Sequence, residues 1–191
     1  MLSHSSPTFA NIRYVFLDRD GVINRKLPEG EYVNNWDRFQ MLPGVEAAIA
    51  KLNRSGRTVI VVTNQRGIAL GYYTEADVRG VHEQLQRHLA QSGGHIDAFY
   101  FCPHDKNECG CRKPKTGLFE QALLDFPEAS ISNSIVIGDS LSDIEAAHNF
   151  GAPSIFIEGN PEFQKPGAET ARSLANASSA SLPEAVDRFL P

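Results

Sequence analysis

The sequence predicts an α/β fold: a three-layer, Rossmann-like parallel sheet with helices on both faces. Three observations carry this expectation. Short apolar runs rich in Val, Ile and Phe recur at 14–17, 59–62, 98–102, 135–137 and 155–157. Unbroken apolar runs of this length suit parallel strands covered on both sides. Segments with helical spacing separate the runs, and alternation of strand and helix implies a parallel sheet wound right-handed. Polar residues stand at the ends of three runs, at Asp18, Thr63-Asn64 and Asp139. Ligands of such sheets sit outside the carboxyl ends of the strands, so these three edges are expected to meet in one crevice.

The helices follow in order. Pro43 opens the first, Val45, Ala48, Ile49 and Leu52 recur at helical spacing, and Gly56 closes it. The second starts near Thr74, carries Val78, Val81, Leu85 and Leu89, and stops at Gly93-Gly94. The third covers 116–126, before Pro127. Ser142-Asp143-Ile144-Glu145 reads as a capping box that starts a fourth, ending at Gly151. The last begins near Ser181, with Glu184 three residues on. Between 159 and 181 the chain is rich in Ala, Ser, Gly and Pro. A short helix near 168–172 and a poor edge strand near Leu174-Ala175 are expected there.

A chain of 191 residues is long enough for one well-buried domain and short for two. The expected organisation is a flexible tail over 1–12 and a single domain over 13–191. A net charge of −5 argues against a nucleic-acid surface, which needs a basic face. No apolar run approaches the ~18 residues of a membrane helix. The Ser-rich start lacks the basic and apolar regions of a signal peptide. A cytoplasmic monomer, with neither nucleic acid nor membrane as partner, is the expectation.

The chemistry starts at Asp18-Arg19-Asp20-Gly21. Side chains two apart in an extended segment point the same way, so Asp18 and Asp20 can address one substrate atom. A phosphate ester suits the rest of the set, because phosphoryl transfer needs positioning and charge neutralisation above all. Asp18 would attack and form an aspartyl phosphate. Asp20 would protonate the leaving oxygen and then take a proton from the attacking water. Asp18 and Asp139 can hold Mg²⁺, a hard cation that prefers oxygen ligands. Lys113 is the candidate cation for the transferring oxygens, and Thr63 can donate a hydroxyl hydrogen bond to the same group. Asp143 has two readings: it orients Lys113 or the metal's water shell, or it only favours a helix N-terminus.

The second constellation is Cys102-Pro103-His104 followed by Cys109-Gly110-Cys111, which uses every cysteine of the chain. Three thiolates and one imidazole complete a tetrahedral Zn²⁺ shell with no open position, so the zinc would be structural. Arg112-Lys113 follow at once. Fixing this loop would fix two cations beside the phosphate site.

Four motifs in this order, Asp18-Arg19-Asp20-Gly21-Val22-Ile23-Asn24, Thr63-Asn64-Gln65, Arg112-Lys113-Pro114 and Gly138-Asp139-Ser140-Leu141-Ser142-Asp143, resemble those of the haloacid-dehalogenase-like (HAD) phosphatases. The resemblance covers about residues 13–157. It implies the roles assigned above to Asp18, Asp20, Thr63, Lys113 and Asp139, and a Mg²⁺ ligand from the backbone carbonyl of Asp20. The zinc loop narrows the resemblance to the group that holds heptose-bisphosphate and histidinol-phosphate phosphatases. Members of that group lack a large cap domain, and three loops form the substrate pocket instead, here a first loop over about 24–35, a second over 65–73 and the zinc loop over 102–111. The heptose pattern implies substrate contacts from Lys26, Leu27, Pro28 and Glu29, from Thr63, Asn64, Gln65 and Arg66, and from Arg112 and Lys113. Asp-Gly-Val-Ile-Asn, the Tyr32-Val33 pair and Thr63-Asn64-Gln65-Arg66-Gly67-Ile68-Ala69 look like the heptose enzymes. A second, remote phosphate would want extra cations, and Lys26, Arg66 and Arg112 could supply them. The zinc loop is short, with four residues between His104 and Cys109, and in length looks more like that of the histidinol phosphatases.

The resemblance thus implies removal of the C7 phosphate of a heptose 1,7-bisphosphate, a step toward bacterial lipopolysaccharide, with histidinol phosphate as the rival substrate. An alternative of another class is a zinc-stabilised protein that holds a phosphorylated ligand without turnover. The Asp18, Asp20, Lys113 and Asp139 set argues against it, because a binder has no use for an acid two residues from a nucleophile. His82 and His88 fall on a helix and read as a solvated or partly buried face. Trp36 either packs the first loop or walls the pocket.

Overall fold

The computed structural model describes residues 9–163 and 166–191. Six parallel strands form one sheet: β1 (Tyr14–Leu17), β2 (Thr58–Asn64), β3 (Ala98–Cys102), β4 (Ser134–Gly138), β5 (Ser154–Ile157) and β6 (Ala177–Ser179). Their order across the sheet is β3-β2-β1-β4-β5-β6. The strand order reverses between β1 and β4, whose register pairs Leu17 with Ile137. This is the topological switch point of a doubly wound sheet, where the helices on either side of the strand ends splay apart and leave a crevice.

Alternation along each strand divides the core. Val15 and Leu17 of β1 face α1 (Val45–Arg54), α2 (Glu75–Ala90) and α6 (Leu182–Phe189), in one cluster with Ile49, Leu85 and Val186. Phe16 points to the other face and packs against α3 (Gly117–Asp125) and α4 (Leu141–Phe150). Its ring meets Phe119 edge-on, with centroids 5.3 Å apart. Burying a ring of this size stabilises by about 1.5–3 kcal/mol. The remaining helix, α5 (Ala168–Leu174), adds Ala171 to a small cluster with Ile144 and Phe156. Among the described residues, no helix is long and apolar enough to cross a membrane.

Several details differ from the sequence expectation. Residues 1–8 of the expected tail lie outside the described residues, and Phe9 and Ile12 pack while Ala10 and Asn11 are exposed. Ile12 is buried, and the Phe9 ring sits 6.3 Å from Phe189. Two apolar side chains within four residues are enough to dock this stretch on α6. The edge strand lies at Ala177–Ser179, past Leu174, which ends α5. Small residues carry little strand signal, and pairing of Ala177 with Ile155 sets the position. The fourth helix starts two residues earlier than expected. Ser140 is its N-cap, and its backbone N–H and hydroxyl donate to Asp143 Oδ2 at 3.0 and 2.6 Å. Helix α2 has the expected Thr74 cap, in a reciprocal box with Asp77. His82 is buried, stacked on Phe99 at 4.4 Å, where a solvated or partly buried face was expected. Trp36 stacks on Phe39 at 4.8 Å and leans on His88, so it packs the first loop onto the core.

Candidate active site

Three strand ends converge as expected. Asp18 follows β1 and continues its pairing, its N–H donating to Ile137 O at 2.9 Å. Asp139 follows β4, and Thr63 and Asn64 close β2. The extended path breaks after Asp18. Ile23 and Asn24 N–H both donate to Arg19 O, so the chain coils into a tight turn. Asp20 therefore faces the cleft from a turn, not from a continued strand. Gly21 sits in that turn with φ +101°, and a Cβ there would collide with the Asp139 carboxylate. Only glycine permits both the backbone angle and this approach. Gly138 is required for a similar reason, because a Cβ would strike Asp143.

Lys113 is the hub of the floor. It is 4% exposed, and its Nζ donates to Asp18 Oδ1 at 2.8 Å and Val62 O at 2.6 Å, and pairs with Asp143 Oδ1 at 2.6 Å. Asp143 thus has both roles read from the sequence: it caps α4 and holds Lys113. Burial alone would lower the Lys113 pKa, but the Asp143 and Asp18 charges outweigh it and raise it. Asn64 secures the same residue from behind. Its Nδ2 donates to Lys113 O and its Oδ1 accepts from Lys113 N, both at 3.1 Å. The side chain expected at the substrate lines the cleft and also clamps β2 to the lysine.

Asp18 and Asp20 have opposite electrostatics. Burial pushes Asp18 up, Lys113 counters it, and Asp143 and Asp20 add to the rise. Burial would also raise Asp20, yet Arg19 and hydrogen bonds from Asn24, Arg19 and Gln65 together hold it below the usual range. Arg19 Nη2 contacts both carboxylate oxygens, at 3.0 and 2.9 Å, and Asn24 Nδ2 donates to Oδ1 at 2.9 Å. Sequence reasoning did not single out Arg19, Asn24 or Tyr73 as site residues. The first two lie inside the Asp18–Asn24 motif. Gln65, expected at the substrate, is 2% exposed, and its amide is engaged by protein groups.

The oxygen atoms of Asp18, Asp139 and Asp143 lie within 4.8 Å of one another. Burial first, with Asp18 and Asp143 adding, pushes Asp139 up to about 7, although Lys26 ion-pairs with its Oδ2. Asp139 Oδ1 is buried with no hydrogen-bond partner. Clustered, underneutralised carboxylates with a spare buried oxygen fit a hard divalent cation. Beside this floor, Cys102, His104, Cys109 and Cys111 present ligand atoms within 4.8 Å of one another. The three Sγ–Sγ separations are 3.5, 3.3 and 3.3 Å, and Nδ1 of His104 is 3.7 and 3.4 Å from two of them. Zinc bonds of about 2.3 Å in a tetrahedron give edges near 3.7 Å, so this donor set fits zinc.

The cleft above the floor has a volume of about 1210 Å³. The first loop lines it with Lys26, Leu27, Pro28 and Glu29, the second with Arg66 and Tyr72, and the chain after the cysteines with Arg112. The loops are tied together across its mouth. Tyr32 stacks on Tyr72 at 5.3 Å, and Arg66 pairs through Nε and Nη2 with the Asp105 carboxylate.

A model of the HAD-hydrolase-like family matches residues 110–182. The D-glycero-alpha-D-manno-heptose-1,7-bisphosphate 7-phosphatase of Mycobacterium tuberculosis (strain ATCC 25618 / H37Rv) is 48% identical over 139 residues, covering 72% of this chain and 73% of that protein. The D-glycero-beta-D-manno-heptose-1,7-bisphosphate 7-phosphatase of Rhodopseudomonas palustris is 40% identical over 152 residues, covering 75% and 82%. Among solved structures, the D,D-heptose 1,7-bisphosphate phosphatase of B. bronchiseptica, complexed with magnesium and phosphate, superposes with a TM-score of 0.81 at 29% identity, covering 94% and 98%. With this fold, these motifs in order and these relatives, the chain belongs to the haloacid-dehalogenase-like phosphatases, in the family of the heptose-1,7-bisphosphate 7-phosphatases.

Proposed function

We propose that the enzyme removes the C7 phosphate of D-glycero-D-manno-heptose 1,7-bisphosphate, with a preference for the alpha anomer at C1. One observation carries the substrate class: Lys26, Arg66 and Arg112 stand on three separate segments around a single cleft with Asp18 in its lining. With one phosphate at Asp18 and Lys26 paired to Asp139 at the floor, Arg66 and Arg112 stand further out for a second. The anomer rests on the relatives. The mycobacterial enzyme at 48% identity is named for the alpha form, and the one at 40% for the beta form.

The chemistry follows from the residues. Asp18 Oδ attacks phosphorus, the bond to the C7 oxygen breaks, and an aspartyl phosphate forms. Asp20 delivers a proton to the leaving oxygen. Its depressed pKa keeps it ionised, so in the following step it can accept a proton from the water that attacks the phosphoryl group. Approach of a phosphate dianion raises its affinity for a proton in the first. Lys113 holds Asp18 in place and offsets charge on the transferring oxygens, and Thr63 donates to them. Asp18, Asp139 and the backbone carbonyl of Asp20 would hold Mg²⁺, with Asp143 beside them. The ion supplies the positive charge that lets a carboxylate approach a phosphate dianion. Cys102, His104, Cys109 and Cys111 would hold a structural Zn²⁺, consistent with a reducing cytoplasm.

The test is phosphate release, with Mg²⁺, from both anomers of the heptose bisphosphate and from histidinol phosphate. The alpha anomer is expected to be turned over with the highest kcat/KM. A higher value for histidinol phosphate would overturn the substrate, and a higher value for the beta anomer would overturn the anomer alone.

A further inference from the structure

Gln65 occupies a junction that the proposed chemistry above leaves unused. Its Nε2 donates to Asp20 Oδ2 at 3.1 Å and to Thr63 Oγ1 at 2.9 Å. Its Oε1 accepts from the Tyr73 hydroxyl at 2.8 Å, with Arg19 Nη2 at 3.5 Å. Two acceptors thus face the NH₂ end and two donors face the carbonyl end. Rotating the amide would set its oxygen against a carboxylate and its NH₂ against an arginine, so one orientation is imposed. Tyr73 stays a donor under all ordinary conditions, because burial pushes its hydroxyl up to about 12.

This arrangement acts on two groups at once. A threonine hydroxyl that accepts from Gln65 keeps its own proton for another acceptor, here a phosphoryl oxygen. The Asp20 carboxylate, held on Oδ1 by Asn24 and Arg19 and on Oδ2 by Gln65 and Arg19, cannot swing out of the cleft. We propose that Gln65 is a positioning residue that couples the general acid–base Asp20 to the phosphoryl donor Thr63, and that Tyr73 locks its amide in the working orientation. The inference rests on the phosphatase mechanism proposed above and adds residues to it.

Leaving-group dependence separates this role from general damage to the fold. A phenolate leaves without a proton, whereas a sugar alkoxide needs one. Single-turnover formation of product alcohol would be measured for p-nitrophenyl phosphate and for the heptose bisphosphate, in wild type, Gln65→Glu and Tyr73→Phe. Loss of a hydrogen bond to a charged group predicts a fall of roughly 10- to 100-fold with the sugar ester in Gln65→Glu. The fall with the nitrophenyl ester should be about tenfold less. Tyr73→Phe keeps the amide and the ring, and should show the same selectivity with a smaller fall. Equal falls on both esters in both variants, or no fall in either, would overturn the inference. Absence of turnover of both esters by wild type would instead overturn the phosphatase reading itself.

Discussion

The floor of the cleft and the cysteine loop beside it are both polar, and they are held by different means. Asp18, Lys113 and Asp143 have side chains 12%, 3% and 1% exposed; Asp18 follows the fully buried β1, Asp143 lies in the first turn of α4, and Lys113 stands in the turn before α3. The sheet register places Asp18, the first turn of α4 places Asp143, and ion pairs to a central lysine complete the array. In the loop only Cys102 is buried; Lys106, Asn107 and Glu108 are exposed. Its order comes from converging ligand atoms and from the Arg66–Asp105 pair, not from an apolar interior. Chemistry placed on a buried sheet survives loss of a neighbour, whereas geometry that rests on ligation should vanish with the metal.

The largest expected effect is on the floor. Asp18→Asn should lower phosphate release by at least about 10³-fold while the protein stays folded, because Lys113 keeps Asp143 as a partner. Steady-state rates with circular dichroism check this, and unchanged turnover would refute the aspartyl-phosphate mechanism.

Next comes the loop. Purified enzyme should contain one zinc per chain by elemental analysis. Stripping it, or making Cys109→Ser, should open residues 103–111 to protease and reduce activity by roughly 10- to 100-fold with Mg²⁺ present. The sheet should unfold at nearly the same temperature. Simultaneous collapse of loop and sheet would erase the distinction between the two regions.

The tie between second loop and cysteine loop gives a smaller effect. Asp105→Asn should free Arg66 and raise KM for the heptose bisphosphate about tenfold with kcat nearly constant. It should leave KM for p-nitrophenyl phosphate unchanged. A kcat effect would place Arg66 at the reacting phosphate instead.

The smallest effect belongs to the support behind the floor. Burial, with Arg19 adding, depresses the His82 pKa from 6.5 to about 3. The unfolded chain binds a proton below about 6.5 that the native state refuses until about 3. Stability should therefore fall as pH drops through that window. His82→Gln should remove this part of the slope, so that the variant gains on wild type between pH 6.5 and 5 in chemical denaturation. Parallel curves would show that His82 takes up its proton in the folded state.

Much of the fold was legible in the chain. The five longer strands and five of the helices stand out because apolar runs and caps are local signals. The acidic residues at strand ends carried the site, since a doubly wound sheet has one place for them. The last strand was expected a few residues too early because Ala177-Ser178-Ser179 has no signal apart from its partner. The Ser140 cap was missed because Ser142-Asp143-Ile144-Glu145 offers an equally good pattern, and only the length of β4 decides between them. His82 read as part of a solvated or partly buried face because one helix position says nothing of what lies over it.

Residue type and order determined the strand–helix alternation, the two aspartates two positions apart, and the cluster of three cysteines and a histidine. These depend on side-chain chemistry and short spacing. Tertiary structure decided which polar side chains face substrate and which serve one another. Asn64 and Gln65 adjoin Thr63 in the chain, yet one clamps the Lys113 backbone and the other joins Asp20 to Thr63 and Tyr73. The physical reason is that a buried amide must satisfy every donor and acceptor it carries. Its partners come from segments as many as 49 residues away, brought within reach only when β1, β2 and the loop after β3 meet at the sheet edge.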